Sequence, residues 1–222
     1  MLRTVQITKD GSATIAIPAM QVTYHSHHGA VQESRHVFIN AGLMHQSYRP
    51  HIEVFEMGLG TGLNALLTFE VALAQPFTVR YTSIEKFPLR VNEWAGIDYS
   101  EYVTLPNATA HLQTLHETTW NEWHVWHPKF SLHKIMGSLL DVQLSANTYH
   151  VIYFDAFAPT AQPELWSEAV FAVCFNALAQ GGCLVTYCSK GVVRRAMESV
   201  GFLVEKLPGP PGKREMVRAI KP

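Results

Sequence analysis

From residue 51 onward, short runs of β-branched and aromatic residues alternate with longer stretches that carry apolar side chains at helical spacing. Seven runs read as strands: residues 52–57, 78–85, 130–136, 151–154, 183–187, 203–207 and 215–220. Alternation of this kind implies a parallel sheet flanked by helices. Only Pro208-Gly209-Pro210-Pro211-Gly212-Lys213-Arg214 separates the last two strands. That is too short for a crossover helix, so those two are expected to pair antiparallel.

Residues 1–50 read differently, as an appendage ahead of the sheet domain at 51–222. Residues 14–17 and 22–24 predict a β-hairpin around Pro18, and residues 33–43 predict a short helix with Val37, Phe38 and Leu43 on its apolar side. The stretch 88–128 is less regular. It holds Trp94, Tyr99, Tyr102, Trp120, Trp123 and Trp126, and is expected to be helical with its aromatic residues packing the core.

Composition narrows the class. Of 222 residues, 47% are hydrophobic and 16% charged, enough for one sizeable core. Net charge is −1, so any nucleic-acid contact would have to come from a local patch. Cys174, Cys183 and Cys188 form no Cys-x-x-Cys pair, which suits a reducing, cytoplasmic setting. There is no apolar stretch of membrane-spanning length and no N-terminal signal core, so no membrane association is expected.

The most specific chemistry lies at Glu56-Met57-Gly58-Leu59-Gly60-Thr61-Gly62-Leu63-Asn64, where a strand runs into a glycine turn and then a helix. Nicotinamide-binding turns space their glycines G-x-G-x-x-G, but position 63 is Leu. A phosphate loop is also excluded, because no Gly-Lys-Ser/Thr follows. A pyrophosphate site favours positive potential at this turn. A carboxylate two places before the first glycine instead suits a ligand with an amine and a sulfonium, S-adenosylmethionine. Glu85, at the end of the second strand and followed by Lys86, is placed to accept hydrogen bonds from ribose hydroxyls. With the strand pattern, this predicts an α/β class I S-adenosylmethionine-dependent methyltransferase fold. Its Rossmann-like seven-stranded sheet is mostly parallel with the last strand antiparallel, and a small hairpin/helix appendage precedes it.

A second constellation follows the fourth strand: Asp155-Ala156-Phe157-Ala158-Pro159, then Pro163-Glu164-Leu165-Trp166. An Asp closing a central strand lies over the ligand crevice. Four cations, Arg194, Arg195, Lys213 and Arg214, fall after the fifth strand and between the last two; they are candidates for phosphate contact or a solvated surface. His25, His27, His28 and His36 match no common closed metal site, and no metal is expected.

These pieces together resemble the methyltransferase domain of the MnmC family, which acts in 5-methylaminomethyl-2-thiouridine synthesis in tRNA. The resemblance rests on Tyr24-His25-Ser26, Gly29-Ala30, Glu33-Ser34, His36-Val37-Phe38-Ile39, the glycine turn and Glu85-Lys86. It continues through Asp155-Ala156-Phe157-Ala158-Pro159, Pro163-Glu164-Leu165-Trp166, Gly191-Val192-Val193-Arg194-Arg195, Gly201-Phe202 and Gly212-Lys213-Arg214-Glu215-Met216. It implies methyl transfer from S-adenosylmethionine to the amine of 5-aminomethyl(-2-thio)uridine at the wobble position of tRNA. In that reading Asp155 orients and deprotonates the amine. Glu56, Gly58, Gly60, Thr61, Gly62, Leu63, Asn64, Glu85, Lys86, Ser138 and Asp155 itself hold the cofactor. Tyr24, Ser26, Phe157, Pro159, Arg194, Arg195, Lys213 and Arg214 meet the RNA. The chain departs from the family in two places. Gly137-Ser138 replaces a Gly-Asp pair that faces the adenine, and 222 residues leave no room for the flavin-dependent domain of bifunctional members. A stand-alone methyltransferase without flavin is therefore expected. A small-molecule methyltransferase and a non-catalytic RNA-binding or assembly module are the competing readings.

Overall fold

The computed structural model describes residues 2–222. Strands β1 (Thr4–Ile7), β2 (Ala13–Ile17) and β3 (Val22–Thr23) form a small antiparallel sheet in that order. The β2–β3 hairpin is the expected one, turning through Pro18–Met20 with Gln21 in the left-handed region. The sequence pattern did not predict β1. All four of its residues are exposed, so it has no buried face to produce a pattern. Helix α1 (Ala30–Ser34) continues into a π-helix, Arg35–Leu43, where one helix over 33–43 was expected. Val37, Phe38, Ile39 and Leu43 are buried there. Apolar spacing locates such a segment but does not distinguish its winding.

The main sheet follows: β4 (His51–Met57), α2 (Leu63–Ala74), β5 (Thr78–Glu85), α3 (Val91–Trp94), α4 (Ala108–Glu117), β6 (Trp123–His127), β7 (Phe130–Met136), β8 (Tyr149–Phe154), α5 (Glu168–Ala177), β9 (Leu178–Thr186), α6 (Gly191–Ser199), β10 (Leu203–Pro208) and β11 (Glu215–Ile220). The strand order is β10-β11-β9-β8-β4-β5-β7-β6. Pairs β4–β5, β4–β8, β5–β7 and β8–β9 are parallel. β11 runs antiparallel to both β9 and β10, so the expected final hairpin is present. All seven expected strands occur.

Two expectations are corrected. Residues 88–128 are not all helical, because Trp123–His127 adds an eighth, antiparallel strand beside β7. Its exposure alternates residue by residue, leaving Trp123, Val125 and His127 outside while His124 and Trp126 are partly covered. Trp94 and Tyr99 are core residues as expected, whereas Trp123 is 43% exposed and packs beneath the Arg80 guanidinium, 4.1 Å from the ring centroid. β9 also begins at Leu178 rather than 183, so Gly181-Gly182 lies within the strand. The β8–β9 register shifts between Tyr149 and Val151, and that irregularity absorbs the glycine pair.

One apolar cluster joins Ile15, Val37, Phe38 and Leu43 of the appendage to Val54, Leu66, Tyr81, Val151 and Val185 of the main sheet and α2. The opposite face packs Phe55, Ile152, Phe154, Phe171, Leu184 and Val217. The order reverses at β4, with β5 on one side and β8 on the other, which opens a crevice at the carboxyl ends of β4 and β8.

Candidate active site

A cavity of about 580 Å³ occupies that crevice, within the range of small-molecule sites. The glycine turn enters it through Gly58, Leu59, Gly60 and Thr61, followed by Leu63 and Asn64; Gly62 lies outside the lining and starts α2. Gly60 has φ +53, and a Cβ there would stand 3.0 Å from the Tyr24 ring. A larger residue would push Tyr24 aside, so the turn and the appendage require glycine together.

Glu85 buttresses the turn. Its Oε2 accepts from Gly60 N at 3.1 Å and its Oε1 from Phe87 N at 2.8 Å. Each oxygen keeps lone-pair capacity facing the cavity, as a ribose-binding carboxylate needs. Lys86, Gly137 and Ser138 also line the cavity, whereas Asp141 does not. Ser138 is buried, and its Oγ accepts from Leu140 N at 3.3 Å.

Glu56 is placed differently from the expectation. It is fully buried behind the turn and outside the cavity lining. Ser83 Oγ donates to its Oε2 at 2.7 Å, while its Oε1 and Asn64 Oδ1 are both buried without a partner. Burial pushes Glu56 up to about 8, against which the Ser83 bond works only in part. Glu56 thus stands behind the wall formed by Met57 and Gly58, tied to β5 through Ser83. Asn64 Nδ2 donates to Asp155 Oδ2 at 2.9 Å.

Asp155 reaches the cavity from the end of β8. Burial raises its carboxyl to about 7; Glu33 adds to the rise, while the Asn64 bond and the Lys213 ammonium oppose it. It is thus poised to exchange a proton near neutrality. Tyr24 and Phe157 line the same cavity and pack against each other edge to face, with centroids 5.3 Å apart. Burial holds the Tyr24 hydroxyl up at about 12, which keeps it neutral.

Other expected contacts lie outside the lining. Ser26 N donates to Glu33 Oε1 at 3.2 Å, and Ser26 Oγ accepts from His28 N at the same distance. Pro159 stands away from the cavity wall. Lys213 is not a free phosphate ligand. Its Nζ binds buried Glu33 Oε2 at 2.5 Å and sits 3.8 Å over the Tyr187 ring, whose hydroxyl donates to Ala156 O at 2.8 Å. This chain of contacts ties the β10–β11 loop to α1 and to the loop carrying Asp155. Arg195 and Arg214 are exposed, and Arg194 is partly buried.

Pattern reasoning missed three participants. Arg3 lines the cavity and clamps the loop after β5, donating to Phe87 O at 2.8 Å and Glu93 Oε2 at 3.1 Å. Glu33 and His25 read as helix and loop residues, and only the fold brings them beside Asp155 and the cavity. Among the described residues, no group of three or more His, Cys, Asp or Glu is placed to hold a metal, and no helix is long and apolar enough to cross a membrane.

The geometry suits S-adenosylmethionine: a glycine cradle and a carboxylate for the ribose. Comparison with known proteins agrees. A family model described as S-adenosyl-L-methionine-dependent methyltransferase matches residues 111–222. The tRNA 5-methylaminomethyl-2-thiouridine biosynthesis bifunctional protein MnmC of Burkholderia pseudomallei is 30% identical over 96% of the chain, and that of Burkholderia mallei likewise. The chain spans 35% of the length of these relatives. Among solved structures, MnmC2 from Aquifex aeolicus superposes with a TM-score of 0.79 at 23% identity, covering 100% of this chain and 70% of that one. Spermidine synthase from Thermotoga maritima gives 0.64 at 14% identity, covering 99% and 69%. These two likenesses are of fold.

Proposed function

The chain belongs to the S-adenosyl-L-methionine-dependent methyltransferases, and from that premise we propose that it N-methylates 5-aminomethyl(-2-thio)uridine at the tRNA wobble position. One observation carries the reading: a carboxyl held near neutrality, Asp155, shares a cavity with the glycine turn and with the Tyr24–Phe157 aromatic pair. The name of the Burkholderia relatives supplies the nucleoside. A tRNA substrate also places the protein in the cytoplasm.

When bound, S-adenosylmethionine supplies an electrophilic methyl group on a sulfonium. The protein has to present a neutral amine in line with that methyl. Gly58, Gly60, Thr61, Leu63 and Asn64 hold the methionine side, Glu85 the ribose, and Lys86 and Ser138 the far end. Asn64 fixes Asp155 through Oδ2, which leaves Oδ1 to accept the amine proton. The Tyr24–Phe157 pair offers an aromatic wall against which the planar base packs, which excludes water and fixes the approach of the amine. Arg195 and Arg214, on the same edge of the sheet, contact backbone phosphates beside the wobble base.

The test is nucleoside mass spectrometry of tRNA from a strain lacking the chain. Loss of the methylaminomethyl nucleoside with accumulation of its aminomethyl precursor is expected. An unchanged modification profile would overturn the tRNA assignment and leave the methyltransferase activity standing with another acceptor.

A further inference from the structure

His25 is buried, lines the same cavity as Asp155, and has no part in the mechanism above. Two hydrogen bonds fix its tautomer. Its backbone N–H donates to Thr14 Oγ1 at 3.1 Å, so that hydroxyl is already an acceptor. Thr14 is itself fully buried, and the one other polar atom recorded beside its hydroxyl is His25 Nδ1, at 3.1 Å. The Thr14 proton therefore goes to Nδ1, because a buried hydroxyl that donates to nothing is costly. With Nδ1 accepting, the ring proton of the neutral imidazole sits on Nε2. Burial drives the imidazole down to about 4, so it is neutral throughout the working range. Nε2 has no partner among the described residues, and it does not belong to the buried polar atoms cut off from solvent. A fixed, neutral N–H donor thus stands in the wall of the cavity that Tyr24, Asp155 and Phe157 also line.

We propose that His25 is a specificity-determining residue whose Nε2–H donates to a ring carbonyl oxygen of the acceptor base, the one ortho to the carbon bearing the aminomethyl arm. This rests on the reading of the acceptor as an aminomethyl pyrimidine. In 5-aminomethyluridine the carbonyl at ring position 4 is adjacent to the substituted carbon. One planar ring lying by Tyr24 and Phe157 can therefore offer its amine to Asp155 and its carbonyl to His25. In the cytosine analogue an amino group replaces that carbonyl, two donors face each other, and the site rejects the base. His25 then makes the site selective for uracil, a discrimination Asp155 cannot supply because it meets only the arm.

The experiment measures kcat/KM for anticodon stem-loop RNAs carrying 5-aminomethyluridine or 5-aminomethylcytidine. The proteins compared are wild type, His25→Phe and His25→Gln, each with its affinity for S-adenosylmethionine. Wild type is expected to prefer the uridine RNA by about tenfold or more, the scale of one unmet hydrogen bond. His25→Phe brings the ratio to within about threefold at unchanged cofactor affinity, and His25→Gln, which retains a donor, restores the preference. A preference that survives in His25→Phe, or is absent from wild type, overturns the inference. If wild type methylates neither RNA, it is the function proposed above that fails. Should His25→Phe lose cofactor binding through misfolding, ¹⁵N NMR of the wild-type imidazole decides, because a proton on Nδ1 instead of Nε2 also overturns the assignment.

Discussion

Lys213 acts on the ionisation of Asp155 and Glu56 on the pH dependence of stability, and both effects are open to measurement. The Lys213 ammonium favours the Asp155 carboxylate. Lys213→Met removes that attraction, so Asp155 ionises at a higher pH and the acid limb of the pH profile of kcat/KM moves to higher pH. The same change strands Glu33 in the interior without its cation, at a cost of about 2 kcal/mol given that Lys213 is itself partly exposed. An acid limb that stays in place would separate Lys213 from Asp155. Glu56 gives a second expectation. Its carboxyl is held at about 8, above the usual 4.5, so the folded protein keeps a proton that the unfolded chain releases. Stability from this group is complete below about 4.5 and is lost as pH rises towards 8. Glu56→Gln removes that slope, so its thermal midpoint should gain on wild type between pH 5 and 8; midpoints that track in parallel would show Glu56 ionised in the fold. The sequence told less at this scale than at any other. The glycine turn and Asp155 were legible because strand-to-turn junctions mark the crevice of a parallel sheet. Glu56 was legible as an acid but not as a buried one, since a carboxylate beside glycines looks alike facing a ligand or facing Ser83. Lys213 read as a surface cation because its partner, Glu33, lies 180 residues away along the chain.

At the scale of elements, the β10–β11 loop is the joint between the appendage and the site. Gly212 in that loop has φ +85, and a Cβ on it would run into the His28 ring. His36 Nε2 approaches Pro208 O at 2.8 Å a few residues away. Gly212→Ala therefore strains the backbone and presses the loop off the appendage, drawing Lys213 away from Glu33. The expected loss is roughly 1–3 kcal/mol of stability, with methyl transfer to RNA falling more than affinity for S-adenosylmethionine. Equal losses of both would mean that the loop merely supports the fold. The β-strands of the main sheet were legible because their apolar runs are short and bounded by Gly, Pro and polar residues. β6 escaped because Trp123-His124-Val125-Trp126-His127 has no apolar–polar alternation that matches a covered face: Trp123 and Val125 are exposed and His124 is partly covered. β1 gave no signal at all, since its partner is the backbone of β2 and none of its side chains is covered.

Across the whole molecule, the appendage at 1–50 and the sheet domain at 51–222 share one apolar cluster. Ile15, Val37, Phe38 and Leu43 share a cluster with Val54, Tyr81 and Val185, so residues 1–50 and 51–222 bury one core between them. Calorimetry is expected to give one transition with equal calorimetric and van't Hoff enthalpies, and a fragment starting at residue 51 should fail to fold; two resolved transitions would restore the division. The same view bears on RNA binding. With 17 basic and 18 acidic residues, the overall field does not draw a polyanion, and attraction has to be local. α6 starts beyond the carboxyl end of β9, and the β10–β11 loop leaves the carboxyl end of β10, so Arg195 and Arg214 share the edge of the sheet that opens the cavity. Lys213 is paired with Glu33 and Arg194 is partly buried, which leaves Arg195 and Arg214 as the exposed charges of the four. If each meets one phosphate, replacing both with alanine lowers the slope of log K against log salt for tRNA by about 1.5. The weakening should be uniform across tRNA sequences, since phosphates carry no base identity, and affinity for S-adenosylmethionine should not move, because neither side chain lines the cavity. An unchanged salt slope would put the RNA on another face, and the basic edge would then be solvated surface.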